Sequence, residues 1–247
     1  HRVDRRQRQM CIRDSNHPLL KMFAAIFGAM LKEIVALIKK DALLEFRQRY
    51  AFFSILLYVV ATVYISYLIF VSINDPRVWN ALFWVILVFA SINTAGKSFS
   101  NESENRFWYY YQIASPQALI LAKVIYNTLL IWAISIITYL VYSWFIGNPV
   151  QSQGQFLLVL LLGSASFSGI LTIVSAIAVR TNNNATLMSI LSIPLLLPVI
   201  IIVVRASLGA MFGLDFEQNI VYMAALLALN ALVVILGFLL FPYLWRE

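Results

Sequence analysis

Six long apolar stretches alternate with short polar ones along this chain of 247 residues. They run from Tyr50 to Ile73, Trp79 to Ala95, Leu119 to Ile146, Phe156 to Val179, Leu187 to Val204 and Asn219 to Tyr243. Each is continuously apolar rather than apolar at every second position. About 20 apolar helical residues cross the hydrocarbon core of a bilayer, whereas the strands of a membrane barrel are short and alternate. The pattern therefore predicts an all-α integral membrane protein with six transmembrane helices. Breakers separate the stretches: "NDPR" after the first, "GNPVQSQGQ" after the third and "RTNNNAT" after the fourth. No internal repeat is evident, so an inverted-repeat transporter gains no support. The expected division is a tail over 1–21, an amphipathic segment over 22–49, and a six-helix domain over 50–247 that carries a polar and aromatic segment at 97–118.

Ahead of the first span, "MLKEIVALIKKDALLEFRQRY" has helical periodicity. Leu31, Ile34, Val35, Ile38 and Ala42 share one face, and Lys32, Glu33, Lys39 and Lys40 lie away from it. This predicts an amphipathic helix at the membrane surface, where basic residues suit anionic lipid. Near the other end, "RASLGAMFGLDFEQN" (Arg205 to Asn219) reads as a long mixed connection. A short interfacial helix there would put Leu208, Met211 and Phe212 on one face.

Charge then orients the spans. Counting the loops alternately, one end receives Lys32, Lys39, Lys40, Arg47, Arg49, Lys97, Arg106, Lys123, Arg180 and Arg246, and the other only Arg77 and Arg205. Short loops rich in Lys and Arg stay in the cytoplasm. The expectation is a multi-pass membrane protein with both termini cytoplasmic.

The composition agrees: 62% of residues are hydrophobic and 12% charged, where a soluble domain has about 25% charged. Much of the net charge of +7 sits in the tail "HRVDRRQRQMCIRDS". An Arg-rich arm suggests nucleic acid, but this tail is unlike the rest of the chain and resembles translated adapter sequence. The expectation is a non-native or disordered tail, a native start at Met22 or Met30, and no nucleic-acid partner. A signal peptide would have its apolar run at Leu19 to Leu31, yet Lys21 interrupts that region and no small-residue cleavage site follows.

Chemistry is sparse. Cys11, His1 and His17 all precede Met22, and from there on the chain has no His and no Cys. That removes a disulfide, a thiolate metal cluster and a histidine-based triad. The span interiors lack the ionisable residues that proton-coupled transporters keep, with Lys123 and Arg205 read as lying at span edges. The serines of "GSASFSG" (Gly163 to Gly169) lack a base. Gly163, Ser166 and Gly169 are better read as small residues that let helices approach. The expectation is a non-catalytic protein with no metal and no directly bound cofactor.

"INTAGKSFSNESENRFWYYY" contains Gly96-Lys97-Ser98, the end of a P-loop. The full motif needs a glycine five positions before Gly96, and that position is Ser91. The phosphate cradle is therefore missing, and Lys97 is a positive-inside anchor. The acidic and aromatic residues that follow have two readings. One is an aromatic belt at the interface. The other is a cytoplasmic coupling helix whose rings fill a groove on a partner while Glu102 and Glu104 meet its basic residues.

Three ordered pieces carry a family resemblance. They are "KKDALLEFRQRYAFFSILL" leading into the first span, "FSNESENRFWYYYQIASPQALILAKVIYN", and "LMSILSIPLLLPVIII" with its two prolines. From about Leu31 to the end the chain resembles the CcmB family, the membrane subunit of the cytochrome c maturation ABC transporter. The resemblance departs at Arg106, where the family tends to have Gly. It implies an ABC-2-type permease, a homodimer that works with two copies of a CcmA-like ATPase, CcmC-like and CcmD-like membrane proteins, and a CcmE-like periplasmic haem chaperone. ATP would sit on the ATPase and haem on partner proteins. The ATPase-coupling residues it implies are Phe99, Glu102, Glu104, Phe107, Trp108, Tyr110, Tyr111, Pro116 and Lys123. Haem usually takes His or Cys as a strong axial ligand, and of the weaker ligands Met188, Met211 and Met223 remain, so transmission of force is expected rather than haem ligation.

Pro194 and Pro198, four apart, share a face of the fifth span. Each lacks an N–H and clashes with the preceding turn, so the helix is expected to kink or open there and to be the mobile element, reached through the small residues Gly163 to Gly169. The alternatives are an ABC-2-type exporter of another substrate, such as a lipid or drug, and a membrane scaffold with no ATPase.

Overall fold

The computed structural model describes residues 18–47, 49–70, 75–100, 115–179 and 184–246. Among these residues there are seven helices and no strand: α1 (Pro18–Arg47), α2 (Arg49–Ile69), α3 (Pro76–Ser100), α4 (Pro116–Ile146), α5 (Gln153–Ala178), α6 (Asn184–Met211) and α7 (Phe216–Arg246). Six of them, α2 to α7, are long and apolar enough to cross a membrane. The chain is an all-α integral membrane protein.

Helix starts follow local chemistry. Pro116 stands at the first position of α4, behind Ser115 in extended conformation (ψ 138°). A first-turn N–H has no intrahelical acceptor, so proline loses nothing there. The third span therefore begins three residues before the expected Leu119.

The expected long connection from Arg205 to Asn219 is not present. Helix α6 continues past Arg205 to Met211, and α7 begins at Phe216. Ala206, Ser207, Ala210 and Met211 are buried, so the helix keeps a packed face through this stretch. Gly213 then takes φ +67°, and Leu214 N–H donates to the Gly209 carbonyl at 3.0 Å. This left-handed glycine closes the helix end and reverses the chain within four residues.

Helix α5 is the axis of the bundle. It touches α3, α4, α6 and α7, and those four contact one another in sequence around it, α3 to α4 to α7 to α6 and back to α3. Helix α2 lies outside this ring against α3 and α4, and α1 packs mainly on α4. The burial follows the layout: 67% of the α5 span and 61% of the α3 span are buried, but only 17% of α2. An apolar helix surrounded on all sides needs no polar face, which is why α5 shows no strong amphipathic pattern. The short connections 147–152 and 212–215 meet at one end, where Ser152 N–H donates to the Ala210 carbonyl at 3.0 Å. The other end, the basic end, holds α1, the end of α3 and the start of α4, and most of the described Lys and Arg lie there.

Candidate functional site

The basic end is organised around the first two turns of α4. Glu33 of α1 accepts two hydrogen bonds from Ser115, one from its hydroxyl at 3.0 Å and one from its backbone N–H at 3.4 Å. Eight residues further along each helix, Asp41 meets Lys123. The Lys123 Nζ lies 3.2 Å from Asp41 Oδ2, and Lys40 Nζ lies 3.0 Å from Oδ1. Eight residues span about 12 Å of helix, so α1 and α4 run side by side in the same direction over this stretch. Ile34 and Leu37 fill the space between the two polar contacts, against Ala118, Leu119 and Ala122, with Phe241 of α7 closing the cluster.

This docking turns α1 from its expected face. Ile34, Leu37 and Asp41 are buried, while Leu31 is 45% and Val35 49% exposed. The docked face is rotated by roughly a quarter turn from the apolar stripe. A sequence pattern counts Asp41 as polar and assigns it outward; a buried cation on the neighbouring helix draws it inward.

Lys123 is likewise not at an exposed edge. Its side chain is 4% exposed and ion-paired, directly after the buried Ala118, Leu119, Ile120 and Ala122. Pro116 is half-buried at the first turn, and Phe99 lies in the last turn of α3. Glu102, Glu104, Phe107, Trp108, Tyr110 and Tyr111 lie outside the described residues. Sequence reasoning missed Glu33 and Asp41. The available signal was a lysine four residues inside "LILAKVIYN", since a charge in an apolar helix needs a partner.

From this end, polar side chains tie α4 to the axis. Asn127 donates to Thr172 Oγ1 at 2.8 Å, Thr128 to Ser168 Oγ at 2.9 Å, and the Trp132 indole to the Leu161 carbonyl at 2.9 Å. On α7, the Asn230 amide reaches the Leu162 carbonyl at 3.2 Å. Buried asparagines and hydroxyls need such partners where no water is present.

The small residues on α5 are contact points. A Cβ at Gly163 would lie 2.6 Å from Val203 Cγ1 of α6 and 3.1 Å from the Trp84 ring of α3; one at Gly169 would lie 2.8 Å from Val233 Cγ1 of α7. Ser166 and Ser164 each donate to a carbonyl of their own helix, Leu162 at 3.1 Å and Leu160 at 2.6 Å. These hydroxyls are spent on backbone, which fits close packing rather than nucleophilic chemistry.

Pro194 and Pro198 lie inside a single unbroken helix, and both are exposed. The expected local opening is absent: α6 stays helical through both positions. Leu196, Val199 and Val203 face the core instead. Both proline rings thus lie on the outer side of α6, away from its packed face.

At the far end an aromatic cluster locks α3, α4 and α5. Trp79 stacks on Phe83 at 5.6 Å and meets Tyr142 edge-on at 4.8 Å. Its indole N–H donates to the Gly147 carbonyl at 2.9 Å, and Tyr142 OH donates to the Trp79 carbonyl at 3.0 Å. Beside it, Asn80 donates to the Val204 carbonyl at 3.0 Å and accepts from Ser207 at 2.9 Å, while Trp84 donates to Ser207 Oγ at 2.9 Å. Four helices, α3 to α6, are thus held at one end by hydrogen bonds and rings, and the other end is held by the contacts around α4.

Comparison with known families agrees with this architecture. The family model described as "CcmB protein" matches residues 32–240, which is most of the chain. The chain belongs to the CcmB family. It is accordingly a multi-pass membrane protein, the permease-type membrane subunit of an ABC transporter in cytochrome c maturation. The match starts within α1 and ends within α7, so the α1–α4 docking of this CcmB-family chain lies inside it. No curated protein matches the chain.

Proposed function

We propose that this subunit transmits force. A separate CcmA-like ATPase grips the segment 97–118 from the cytoplasm, and its ATP-driven closure moves the start of α4. That movement serves haem delivery or release of the haem-loaded, CcmE-like periplasmic chaperone, alongside CcmC-like and CcmD-like membrane partners and a second copy of this chain. Both termini lie in the cytoplasm of a bacterial inner-membrane arrangement, as the concentration of Lys and Arg at the basic end suggests.

The observation that carries the proposal is the anchoring of α4. Near the end of the segment, the backbone N–H and hydroxyl of Ser115 are held by Glu33. The next turns are tied to α1 through Lys123 and to the axial helix through Asn127 and Thr128. A push on the segment cannot be absorbed by a loose helix end; it passes to α1 and α5 together. In this scheme Pro194 and Pro198 leave α6 the most adaptable helix of the ring, because each removes one backbone hydrogen bond.

The double variant Glu102→Arg with Tyr110→Ala should insert normally but lose co-purification of the ATPase. Retention of the ATPase by this variant and by both single variants would refute the coupling role. Haem ligation is tested separately. Met188, Met211 and Met223 are buried at 5%, 1% and 5% exposure, and Met188 packs against Gly96. Such thioethers fill core space. Purified subunit mixed with haem is expected to give no stoichiometric low-spin spectrum, and such a spectrum would contradict force transmission without ligation.

A further inference from the structure

Docking of α1 leaves it a second apolar face, and that face carries lysines. Going around the helix from the buried stripe, Leu31 and Val35 come first, then Lys39 and Lys32, then Ala36. These five residues line a shallow groove of about 370 Å³. Two acids of the same helix are directed elsewhere: Glu33 holds Ser115, and Asp41 holds Lys123 and Lys40. Charge on α1 is therefore segregated, with Glu33 and Asp41 turned toward α4 and Lys32 and Lys39 outward. The two polar contacts to α4 fix the rotation of the helix, so the outward face cannot roll under to bury Leu31 and Val35.

We propose that this groove binds one anionic phospholipid. Lys32 and Lys39 are seven residues apart, which places their Cα atoms about 10 Å from each other on one side of the helix. Their ammonium groups can converge on one phosphate from either side. Leu31 and Val35 border the lysines on the flank and supply a wall for the upper part of an acyl chain. Lysine stems lie along apolar surface while their charged ends reach a polar layer. The location fits, because this stretch of α1 runs beside the first turns of a spanning helix, where headgroups meet hydrocarbon. Such a lipid site is independent of what the transporter moves.

The test uses the full chain in detergent, titrated with phosphatidylglycerol or with phosphatidylcholine of the same acyl chains. Bound lipid is counted by native mass spectrometry. At about fivefold per surface lysine, Lys32→Gln with Lys39→Gln should weaken the tightest phosphatidylglycerol site about 25-fold. Phosphatidylcholine should not fill that site, and glycerophosphate should not displace the lipid. The Lys32→Arg, Lys39→Arg variant keeps the charge and should bind like the parent, which separates loss of the site from loss of fold. Unchanged phosphatidylglycerol affinity in the glutamine variant, equal binding of phosphatidylcholine, or displacement by glycerophosphate would each overturn the proposal. So would loss of the ATPase partner from the glutamine variant with lipid binding intact, since the face would then be a protein-docking surface.

Discussion

Gly163→Val should disrupt the centre of the bundle, and Gly163→Ala should already lower its stability. Two terms oppose each other at this position. Alanine is favoured over glycine inside a helix by about 1 kcal/mol, whereas overfilling a packed site costs about 1–3 kcal/mol. Clearance decides between them. The new Cβ would stand 2.6 Å from Val203 Cγ1 and 3.1 Å from the Trp84 ring, both on residues almost completely buried. Neither neighbour has open space to move into, and Trp84 is also held by its bond to Ser207. Net destabilisation is therefore expected for alanine, and a larger loss for valine, whose two methyl groups must enter the same space. At Gly154, in the first turn of the same helix, an added methyl group would meet nothing within 4 Å. Gly154→Ala should be neutral or slightly stabilising. Adding Val203→Ala to Gly163→Ala should recover part of the loss by opening the clashing side. Thermal unfolding of detergent-solubilised protein reads all four variants. Equal melting temperatures for Gly163→Ala and Gly154→Ala would show that α5 is not tightly packed against α6.

The number and position of the spans were legible because the bilayer imposes a length and an apolarity that any sequence must meet. The small residues of "GSASFSG" were legible for a related reason: a helix with neighbours on all sides can approach them only where side chains are small. The rotation of α1 was not legible. A hydrophobic stripe predicts the buried face only when apolar area alone decides the docking, and here Asp41 and Glu33 are drawn inward by groups some 82 residues away in sequence. The end of α6 was misread for a local reason. Arg205 looks like a span terminus, yet it is exposed on a helix whose opposite side keeps packing through Ala210, and only Gly213 stops it. Polar residues inside the spans carried a similar hidden signal. Asn80, Asn127 and Asn219 are at most 1% exposed, and each takes a specific partner that spacing within one helix cannot reveal.

Removing either partner of the Asp41–Lys123 pair should cost more than removing both. Their side chains are 6% and 4% exposed, so neither charge can be fully rehydrated when the other is deleted. Breaking a buried pair from one side typically costs about 3–5 kcal/mol, while replacing both partners with apolar side chains of similar size is often neutral or better. Lys123→Met should fall at the lower end of that range, because Lys40 remains 3.0 Å from Asp41 and retains part of the compensation. Asp41→Leu combined with Lys123→Met should recover most of the stability of the parent. A charge reversal, Asp41→Lys with Lys123→Asp, should do worse than the neutral pair, since it would set a second lysine beside Lys40. Low exposure also predicts that the effect changes little between low and high salt, unlike that of a surface pair. The double-mutant cycle distinguishes a buried clamp from a decorative contact. Single variants within about 0.5 kcal/mol of the parent, a surface-like value, would mean that α1 is not held on α4 by this pair. The functional measurement follows directly. If α1 and α4 move as one body under the ATPase, the single variants should lower cytochrome c maturation while the ATPase still co-purifies, because the grip remains but the force is no longer carried past the first turns of α4. The neutral double variant keeps the two helices packed and should restore maturation, so that mechanical contact, rather than the charges themselves, is what the step requires.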